Sequence, residues 1–385
     1  MRVPFDDLEL QYSELADDIM VATERVWRSG RYVFTQGSEV AEFERAFAEY
    51  CGSEHCIGTS SGTAALHLAL VAAKIGPGDE VLIPANTYAA TVFACSYVGA
   101  QPVLVDIDPV TYNIDVEQAA QRISSRTRAI MPVHLYGHPA DMDSIMSLAE
   151  QHQLTVIEDA AQAHGASYRG RRTGTWGHAA AFSFYPTKNL GAFGDAGAVT
   201  TNDEVVAASV RQMRYMGQQV KYHHDAIGFQ ERMDEIQAAV LTVKLRRLER
   251  WNEQRRQQAS CYNSLLEDLP IVTPTELPEC HHVYYVYTVR AHDRDALMQW
   301  LTERGVSTGI FYPIPIPLQR AYAELGHRSG DFPETERAAA ETFALPVFPG
   351  YPRDAIEYVA EQVRAFYHSS RRETVASLVN PASAD

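Results

Sequence analysis

The stretch AAAFSFYPTKNLGAFGDAGAVTTN, residues 179–202, carries only two charged side chains, Lys188 and Asp195. Its apolar first part predicts a strand that ends near Tyr185, because Pro186 has no N–H to donate to a sheet. Lys188 follows in a turn that is rich in glycine. A lysine usually lies on the surface, so a solvated turn is one interpretation. The other, equally supported by this stretch alone, is a nucleophile, because an amine in an apolar setting can form a Schiff base with a carbonyl group.

The composition is that of an acidic globular protein. Of the 385 residues, 46% are hydrophobic and 21% are charged, which is ordinary for a chain with a sizeable core. The formal net charge of −16 argues against nucleic acid or an anionic membrane as the main partner. The most apolar segment, residues 85–105, is interrupted by polar residues and proline, so it predicts a helix and a strand and not a membrane span. Five scattered cysteines without metal spacing, and no apolar leader, predict a cytoplasmic protein without a metal site.

Strands and helices alternate along the first 250 residues. The predicted strands are residues 55–58, 80–84, 101–106, 128–133, 154–158, 180–184 and 197–200. The predicted helices are residues 8–29, 38–50, 63–74, 88–98, 116–123 and 143–152. Such alternation is typical of βαβ units. It predicts an α/β fold with a mostly parallel central sheet and helices on both faces.

The pattern changes towards the C-terminus. A long helical pattern over residues 233–268 predicts a connecting helix. Beyond it we predict a strand at 282–290 and helices at 293–304, 333–343 and 353–368. This order predicts a smaller C-terminal α+β domain, with the chain divided into residues 1–250 and residues 251–385.

Residues 59–63, TSSGT, lie between a predicted strand and an apolar helix. A turn of this kind presents free N–H groups and the positive end of a helix dipole, which suits a phosphate group. Ordinary N-capping by serine or threonine is the commoner explanation for such residues. The chain contains neither the Gly-Lys-Ser/Thr of a P-loop nor a GxGxxG fingerprint, so a nicotinamide enzyme is unsupported.

Two further side chains fall at the carboxyl ends of predicted strands, where open α/β sheets bind ligands. Asp159 can keep a bound pyridine nitrogen protonated, although a carboxylate at the start of a helix is an equal alternative. Tyr88 can stack on a planar cofactor, although core packing is commoner. His164 is a candidate base, but a lone histidine is more often structural. Together with Lys188 and the phosphate turn, these residues suit pyridoxal phosphate, which needs a lysine Schiff base and a partner for its pyridinium nitrogen.

Longer motifs carry a resemblance to a known family. They are SSGTAALHLAL, DEVLIPANTYAAT, PVHLYGHPADM, VIEDAAQAHGA, AFSFYPTKNLGAFGDAGAV, ERMDEIQAAVL and YPIPIPLQ. With these motifs in this order, from about residue 3 to residue 359, the chain resembles the DegT/StrS-type nucleotide-sugar aminotransferases. These are pyridoxal-phosphate enzymes of fold type I.

The resemblance implies a role for each matching residue. Lys188 corresponds to the lysine that holds the cofactor covalently, and Asp159 to the partner of its pyridinium nitrogen. Gln162 corresponds to the residue near the phenolic oxygen of the cofactor. The remaining cofactor contacts implied are the amides of Gly62 and Thr63 and the hydroxyl of Ser183 for the phosphate, and the ring of Tyr88 for stacking.

The resemblance also implies a homodimer with shared active sites. In the family, an asparagine of the neighbouring chain usually reaches the phosphate, and here Gln230 occupies that position. Tyr185 and Tyr312 match positions near the sugar in some members. Phe311 and Pro317 stand where many members have histidines, so the sugar pocket departs from the common pattern.

The implied reaction moves an amino group from an amino acid, glutamate by expectation, to a keto sugar of a nucleotide diphosphate. A dTDP-type keto-deoxyhexose is the expected acceptor. A keto-cyclitol aminotransferase and a cofactor-binding regulator without turnover are alternatives. A sugar dehydratase with the same cofactor is a third, and it is disfavoured because related dehydratases carry histidine at the position of Lys188.

Overall fold

A computed structural model describes residues 1–33 and 38–379 of the chain. The strands are β1 (His55–Thr59), β2 (Glu80–Pro84), β3 (Gln101–Val105), β4 (Thr127–Ile130), β5 (Thr155–Asp159), β6 (Ser167–Tyr168), β7 (Arg171–Arg172), β8 (Ala179–Ser183), β9 (Gly197–Thr201), β10 (Gln218–Val220), β11 (His223–His224), β12 (Cys280–His281), β13 (Tyr287–Arg290) and β14 (Thr342–Leu345). The α-helices are α1 (Leu8–Ser29), α2 (Ser38–Cys51), α3 (Gly62–Ala72), α4 (Ala89–Tyr97), α5 (Val116–Gln121), α6 (Met142–His152), α7 (Glu204–Met213), α8 (Glu235–Leu245), α9 (Leu248–Leu266), α10 (Arg294–Glu303), α11 (Pro333–Glu341) and α12 (Arg353–Val379).

Seven strands form the central sheet in the order β1-β9-β8-β5-β4-β2-β3. Strand β9 runs antiparallel to both of its neighbours, β1 and β8. All other neighbouring pairs are parallel. The mostly parallel sheet predicted from the sequence is therefore confirmed.

Both faces of this sheet are buried under helices, because successive side chains of a strand point to opposite faces. On β2, Val81 and Ile83 pack into a cluster with α3 and α4, while Leu82 packs into a cluster with α6 on the opposite face. On β8, Ala180 and Phe182 face a third cluster, which includes residues of α2 and α8. The continuous apolar sequence of these strands follows from this double burial.

A separate core lies in the C-terminal part of the chain. It joins residues of α9, α10 and α12 to the pair β13–β14, and Val3 from the N-terminus belongs to it. Helix α9 continues across residue 250, and the domain division at that residue stays a prediction.

Three elements predicted from the sequence were wrong in detail. The predicted helix 233–268 is two helices, α8 and α9, because α8 packs against α1 and α2 while α9 packs into the C-terminal core. The predicted strand 282–290 is paired in a sheet only over β13. Its first half turns away because the amides of Val283 and Tyr285 bond to the carbonyls of Gly137 and Tyr136. The predicted helix 333–343 ends at Glu341, where β14 begins.

The sequence analysis missed α7, β14 and the short pairs β6–β7 and β10–β11. Because β2, β4, β5 and β8 are parallel, their carboxyl ends lie along one edge of the central sheet. Among the described residues, no helix is long and apolar enough to cross a membrane.

Candidate active site

A cavity of about 460 Å³ opens at this edge of the sheet. Nine of the ten site residues predicted from the sequence line it: Gly62, Thr63, Tyr88, Asp159, Gln162, Ser183, Tyr185, Lys188 and Tyr312. The tenth, Gln230, lies outside this cavity and forms an antiparallel bridge with Tyr215. Its predicted contact with a neighbouring chain stays a prediction.

The N-terminus of α3 forms one wall of the cavity. The hydroxyl of Ser61 caps the helix by accepting from the amide of Ala64 at 3.1 Å. The amides of Gly62 and Thr63 belong to the first turn and therefore have no acceptor within the helix. Gly62 lets this turn approach β8 closely, because a Cβ at Gly62 would lie 2.6 Å from the Cβ of Ser183. Two free amides and the Ser183 hydroxyl thus face the same space.

Lys188 stands on the turn that follows β8. Its amide donates to the carbonyl of Tyr185 at 2.9 Å. Its Nζ lies 4.1 Å from the centre of the Tyr285 ring. The turn is anchored on its far side, where the Nζ of Lys244 donates to the carbonyl of Gly191 at 2.5 Å. The amine of Lys188 therefore projects into the cavity from a fixed backbone.

Asp159 ends β5 on the floor of the cavity and is only 4% exposed. Its Oδ2 accepts from the hydroxyl of Thr91 at 2.8 Å, and its Oδ1 accepts from the amide of Ala161 at 3.1 Å. Burial raises the pKa of Asp159 above its usual value, and these two hydrogen bonds and the charge of Lys188 oppose the rise. A cationic group bound beside this carboxyl would favour its ionised form.

The hydrogen-bond partners of Gln162 fix the orientation of its side-chain amide. Its Oε1 accepts from the amide of Tyr136 at 2.7 Å, and its Nε2 donates to the hydroxyl of Tyr312 at 3.0 Å. Nε2 has two protons, so one remains for a ligand in the cavity. Burial raises the pKa of Tyr312 well above its usual value, so this hydroxyl keeps its own proton.

Aromatic side chains form the mouth of the cavity. Tyr88 is 58% exposed, and its ring centre lies 5.5 Å from that of Tyr312. Phe311, one of the two departures from the family pattern, lines the cavity. The other, Pro317, is buried in a short 3-10 helix, Ile316–Leu318, and does not line it.

Three residues that were not predicted from the sequence also line the cavity or contact a residue that does. Thr87 and Tyr285 line the cavity, and Thr91 contacts Asp159 behind it. Thr87 and Thr91 belong to the PANTYAAT motif. Thr87 precedes Tyr88, the N-cap residue of α4, and Thr91 lies in the first turn of that helix. Tyr285 comes from the C-terminal part of the chain and had no local signal.

His164 does not line the cavity. It is fully buried, with its ring centre 5.5 Å from those of Phe182 and Phe184. Neither ring nitrogen makes a well-formed hydrogen bond within the described part of the chain. Burial lowers the pKa of His164 to about 3. The structural interpretation of this histidine is the one that its environment supports. Within residues 1–33 and 38–379 no cluster of three or more His, Cys, Asp or Glu side chains could hold a metal ion.

Comparisons with known proteins cover nearly the whole chain. The model of the DegT/DnrJ/EryC1/StrS aminotransferase family matches residues 14–364. The chain is 46% identical over 364 residues to the dTDP-3-amino-3,4,6-trideoxy-alpha-D-glucose transaminase of Streptomyces venezuelae, which covers 94% of this chain and 96% of that protein. It is also 46% identical over 370 residues to a protein of Geobacillus stearothermophilus named pleiotropic regulatory protein, covering 95% and 99% of the two chains. The solved structure of S. venezuelae DesV in complex with a ketimine intermediate matches with a TM-score of 0.93, at 46% identity over 95% of this chain and 98% of that chain.

Proposed function

Since the chain belongs to the DegT/DnrJ/EryC1/StrS aminotransferase family, we propose that it moves an amino group from an amino acid to a keto sugar of a nucleotide diphosphate. Glutamate is the proposed donor and a dTDP-linked keto-deoxyhexose the proposed acceptor. The protein uses pyridoxal 5'-phosphate, which when bound supplies an electron sink for the amino acid carbon. The observation that carries the proposal is that an amine, Lys188, and a buried carboxyl, Asp159, line one cavity.

The residues of the cavity fit this cofactor. The amides of Gly62 and Thr63 and the hydroxyl of Ser183 would hold its phosphate. Asp159 is a buried carboxyl with only two hydrogen bonds, so it has capacity left for the ring nitrogen. The free proton of Gln162 Nε2 would bond the phenolic oxygen.

The chemistry of the chain's own residues follows from their positions. Lys188 would hold the cofactor through its amine. When that amine is free, it would serve as the general base of the site and move a proton to or from the α-carbon of the amino-acid donor. Asp159 would face the ring nitrogen, and its negative charge would favour the protonated form of the ring. Tyr88 would cover one face of the ring and exclude water there, and Tyr185 and Tyr312 would contact the sugar.

We extend the proposal to the assembly and the location of the protein. A homodimer with shared active sites, in which Gln230 reaches the phosphate of the neighbouring subunit, is consistent with the exposed position of Gln230. A cytoplasmic location is consistent with the composition. Analytical ultracentrifugation, together with Gln230→Ala, tests the dimer: we expect a dimer in both proteins and weaker cofactor binding in the variant.

The decisive experiment compares the wild type with Lys188→Ala. Adding glutamate alone should convert the bound cofactor of the wild type to its amine form, which changes its absorbance, and turnover should be abolished in the variant. The chain has only four lysines, Lys74, Lys188, Lys221 and Lys244. Borohydride treatment followed by peptide mass mapping should therefore label Lys188 and none of the other three.

Each contrary result has a distinct meaning. A label on another lysine, or near-normal turnover in Lys188→Ala, contradicts the role of Lys188. No change of absorbance with any amino acid would instead favour a cofactor-binding regulator or a dehydratase. A panel of keto nucleotide sugars and keto-cyclitols, with products identified by mass and NMR, then separates the two classes of acceptor.

A further inference from the structure

Two buried threonines connect the N-terminus of α4 to the carboxyl of Asp159. The hydroxyl of Thr91 donates to Asp159 Oδ2 at 2.8 Å, and the hydroxyls of Thr87 and Thr91 lie 2.8 Å apart. Thr91 is completely buried and Thr87 is 3% exposed. These three side chains therefore form a chain of hydrogen bonds that reaches from the cavity wall to the floor.

The number of protons available determines which group donates in each of these hydrogen bonds. A hydroxyl has one proton to donate. When Asp159 is ionised it can only accept, so the proton of Thr91 points to Oδ2. Thr87 must then donate its proton to the oxygen of Thr91. Each donor polarises the next, which strengthens the bond to the carboxylate.

The position of Thr91 in its helix indicates that this contact is a specific one. A threonine in a helix often returns its hydroxyl to the carbonyl four residues earlier. Thr242 does so, since its hydroxyl bonds to the carbonyl of Ala238 at 2.9 Å. Thr91 lies in the first turn of α4 and bonds instead to a side chain 68 residues away. The N-terminal turn of α4, with its positive dipole end, thus lies against Asp159.

We propose that Thr91, backed by Thr87, is a positioning residue that fixes Asp159 Oδ2 and holds the carboxyl ionised and aimed at the ring nitrogen of the bound cofactor. This proposal deepens the function proposed above and rests on it. The hydroxyl of Thr91 and the amide of Ala161 occupy one lone pair on each oxygen, so the rotation of the carboxyl is fixed from both sides. The remaining lone pairs are available to the ligand.

The other titratable groups that act on Asp159 are Lys188 from the turn after β8 and His134 from the segment after β4, and each lowers the pKa of Asp159. The ring of His134 is itself bonded to Glu158 at 3.0 Å. Burial works against both and raises the pKa. Removing the Thr91 hydroxyl should therefore raise the pKa of Asp159 further, because a donor to the charged form is lost while the burial stays.

The test uses four full-length variants: Thr91→Val, which removes the donor at nearly constant shape, Thr91→Ser, which keeps it, Thr87→Val, which removes only the outer hydroxyl, and Thr242→Val as the matched control. The first measurement is chemical unfolding of the cofactor-free protein at pH 5 and pH 8. A carboxyl whose folded-state pKa is raised loses stability as the pH rises from its unfolded to its folded pKa. For Thr91→Val we expect the unfolding constant to increase more at pH 8 than at pH 5, by up to roughly tenfold, because a hydrogen bond to the charged form is lost. Thr242→Val should change it equally at both values.

The second measurement is made on the cofactor-loaded protein. We expect the single-turnover rate constant of the half-reaction with glutamate to fall roughly 10- to 100-fold in Thr91→Val. The pH profile of the cofactor absorbance should also shift. Thr91→Ser should restore both to within about threefold, and Thr87→Val should shift both by a smaller amount in the same direction.

Equal loss of stability at both pH values in Thr91→Val, or an unchanged absorbance profile, would overturn the proposal. Failure of Thr91→Ser to restore either measurement would do the same. If Thr91→Val does not fold, the serine variant and Thr87→Val decide the question. The cofactor-free measurement does not depend on transamination, so a failure of the proposed function is seen separately, as a wild type that does not react with any amino donor.

Discussion

Glu158 and Asp159 are adjacent buried carboxyls at the end of β5, and the two faces of the strand treat them differently. Glu158 accepts four hydrogen bonds: from the amides of Gly174, Trp176 and Gly177, each at 2.8 Å, and from His134 at 3.0 Å. Asp159 accepts two, one from a hydroxyl and one from a backbone amide. Glu158 is closed off from solvent by the loop over residues 174–177, whereas Asp159 faces the cavity.

This difference separates a carboxyl that holds the fold from one that is available for chemistry. A buried charge with all its lone pairs satisfied is fully used by its own protein. A buried carboxyl with unused capacity raises the free energy of the empty site, and a cationic ligand can recover that free energy. The two side chains point to opposite faces because successive residues of a strand alternate. The end of one strand therefore supplies both a carboxyl that stabilises the fold and a carboxyl that is available to a ligand.

The largest expected effect comes from Asp159→Asn. Turnover should fall by at least about 100-fold, because the side chain loses the charge that would stabilise the protonated ring. The cofactor-free protein should stay as stable as the wild type or become more stable. The amide oxygen can accept from the amide of Ala161, and the amide nitrogen can donate to the hydroxyl of Thr91, which is free to rotate. Steady-state kinetics and thermal unfolding measure the two quantities, and an active variant would contradict the assigned role.

The same change at Glu158 should have the opposite outcome. In Glu158→Gln the amide nitrogen must face at least one backbone N–H of the 174–177 loop, and a backbone amide cannot rotate to avoid it. We expect a loss of about 3 kcal/mol in the free energy of unfolding. The activity of each folded molecule should change by less than about tenfold. Denaturant unfolding, with kinetics normalised to bound cofactor, tests this. An equally stable but inactive Glu158→Gln would reverse the comparison.

The sequence revealed the parts of this site that depend on local pattern. Apolar runs between turns located β2, β5 and β8, and parallel strands bring their carboxyl ends to one edge, so the sequence alone predicts that Lys188 and Asp159 lie together. What no local pattern contained was the identity of their partners.

Those partners are distant in the sequence. Thr91 reaches Asp159 across 68 residues, and Tyr285 reaches Lys188 from the C-terminal part of the chain. The break between α8 and α9 was equally hidden, because no glycine or proline marks it and both halves have helical spacing. The break is explained by packing, because α8 packs against α1 and α2 while α9 packs into the C-terminal core. The predicted contact of Gln230 depends on a second chain.

The smallest expected effect on turnover concerns His164, a titratable group near the cavity. We expect it, like Glu158, to stabilise the fold and to take no part in the reaction. Its folded-state pKa of about 3 lies below the usual value, so its contribution to stability is present at neutral pH and is lost as the pH falls through about 6.5. From pH 8 to pH 5 this loss should be about 2 kcal/mol in the wild type. His164→Leu should remove it and change turnover less than about twofold. His292→Leu, at a side chain that is 92% exposed, is the control and should keep the wild-type slope. If His164→Leu instead lost turnover while its stability kept the wild-type dependence on pH, His164 would be part of the reaction. Asp159 would then share its role in the reaction with a second titratable group.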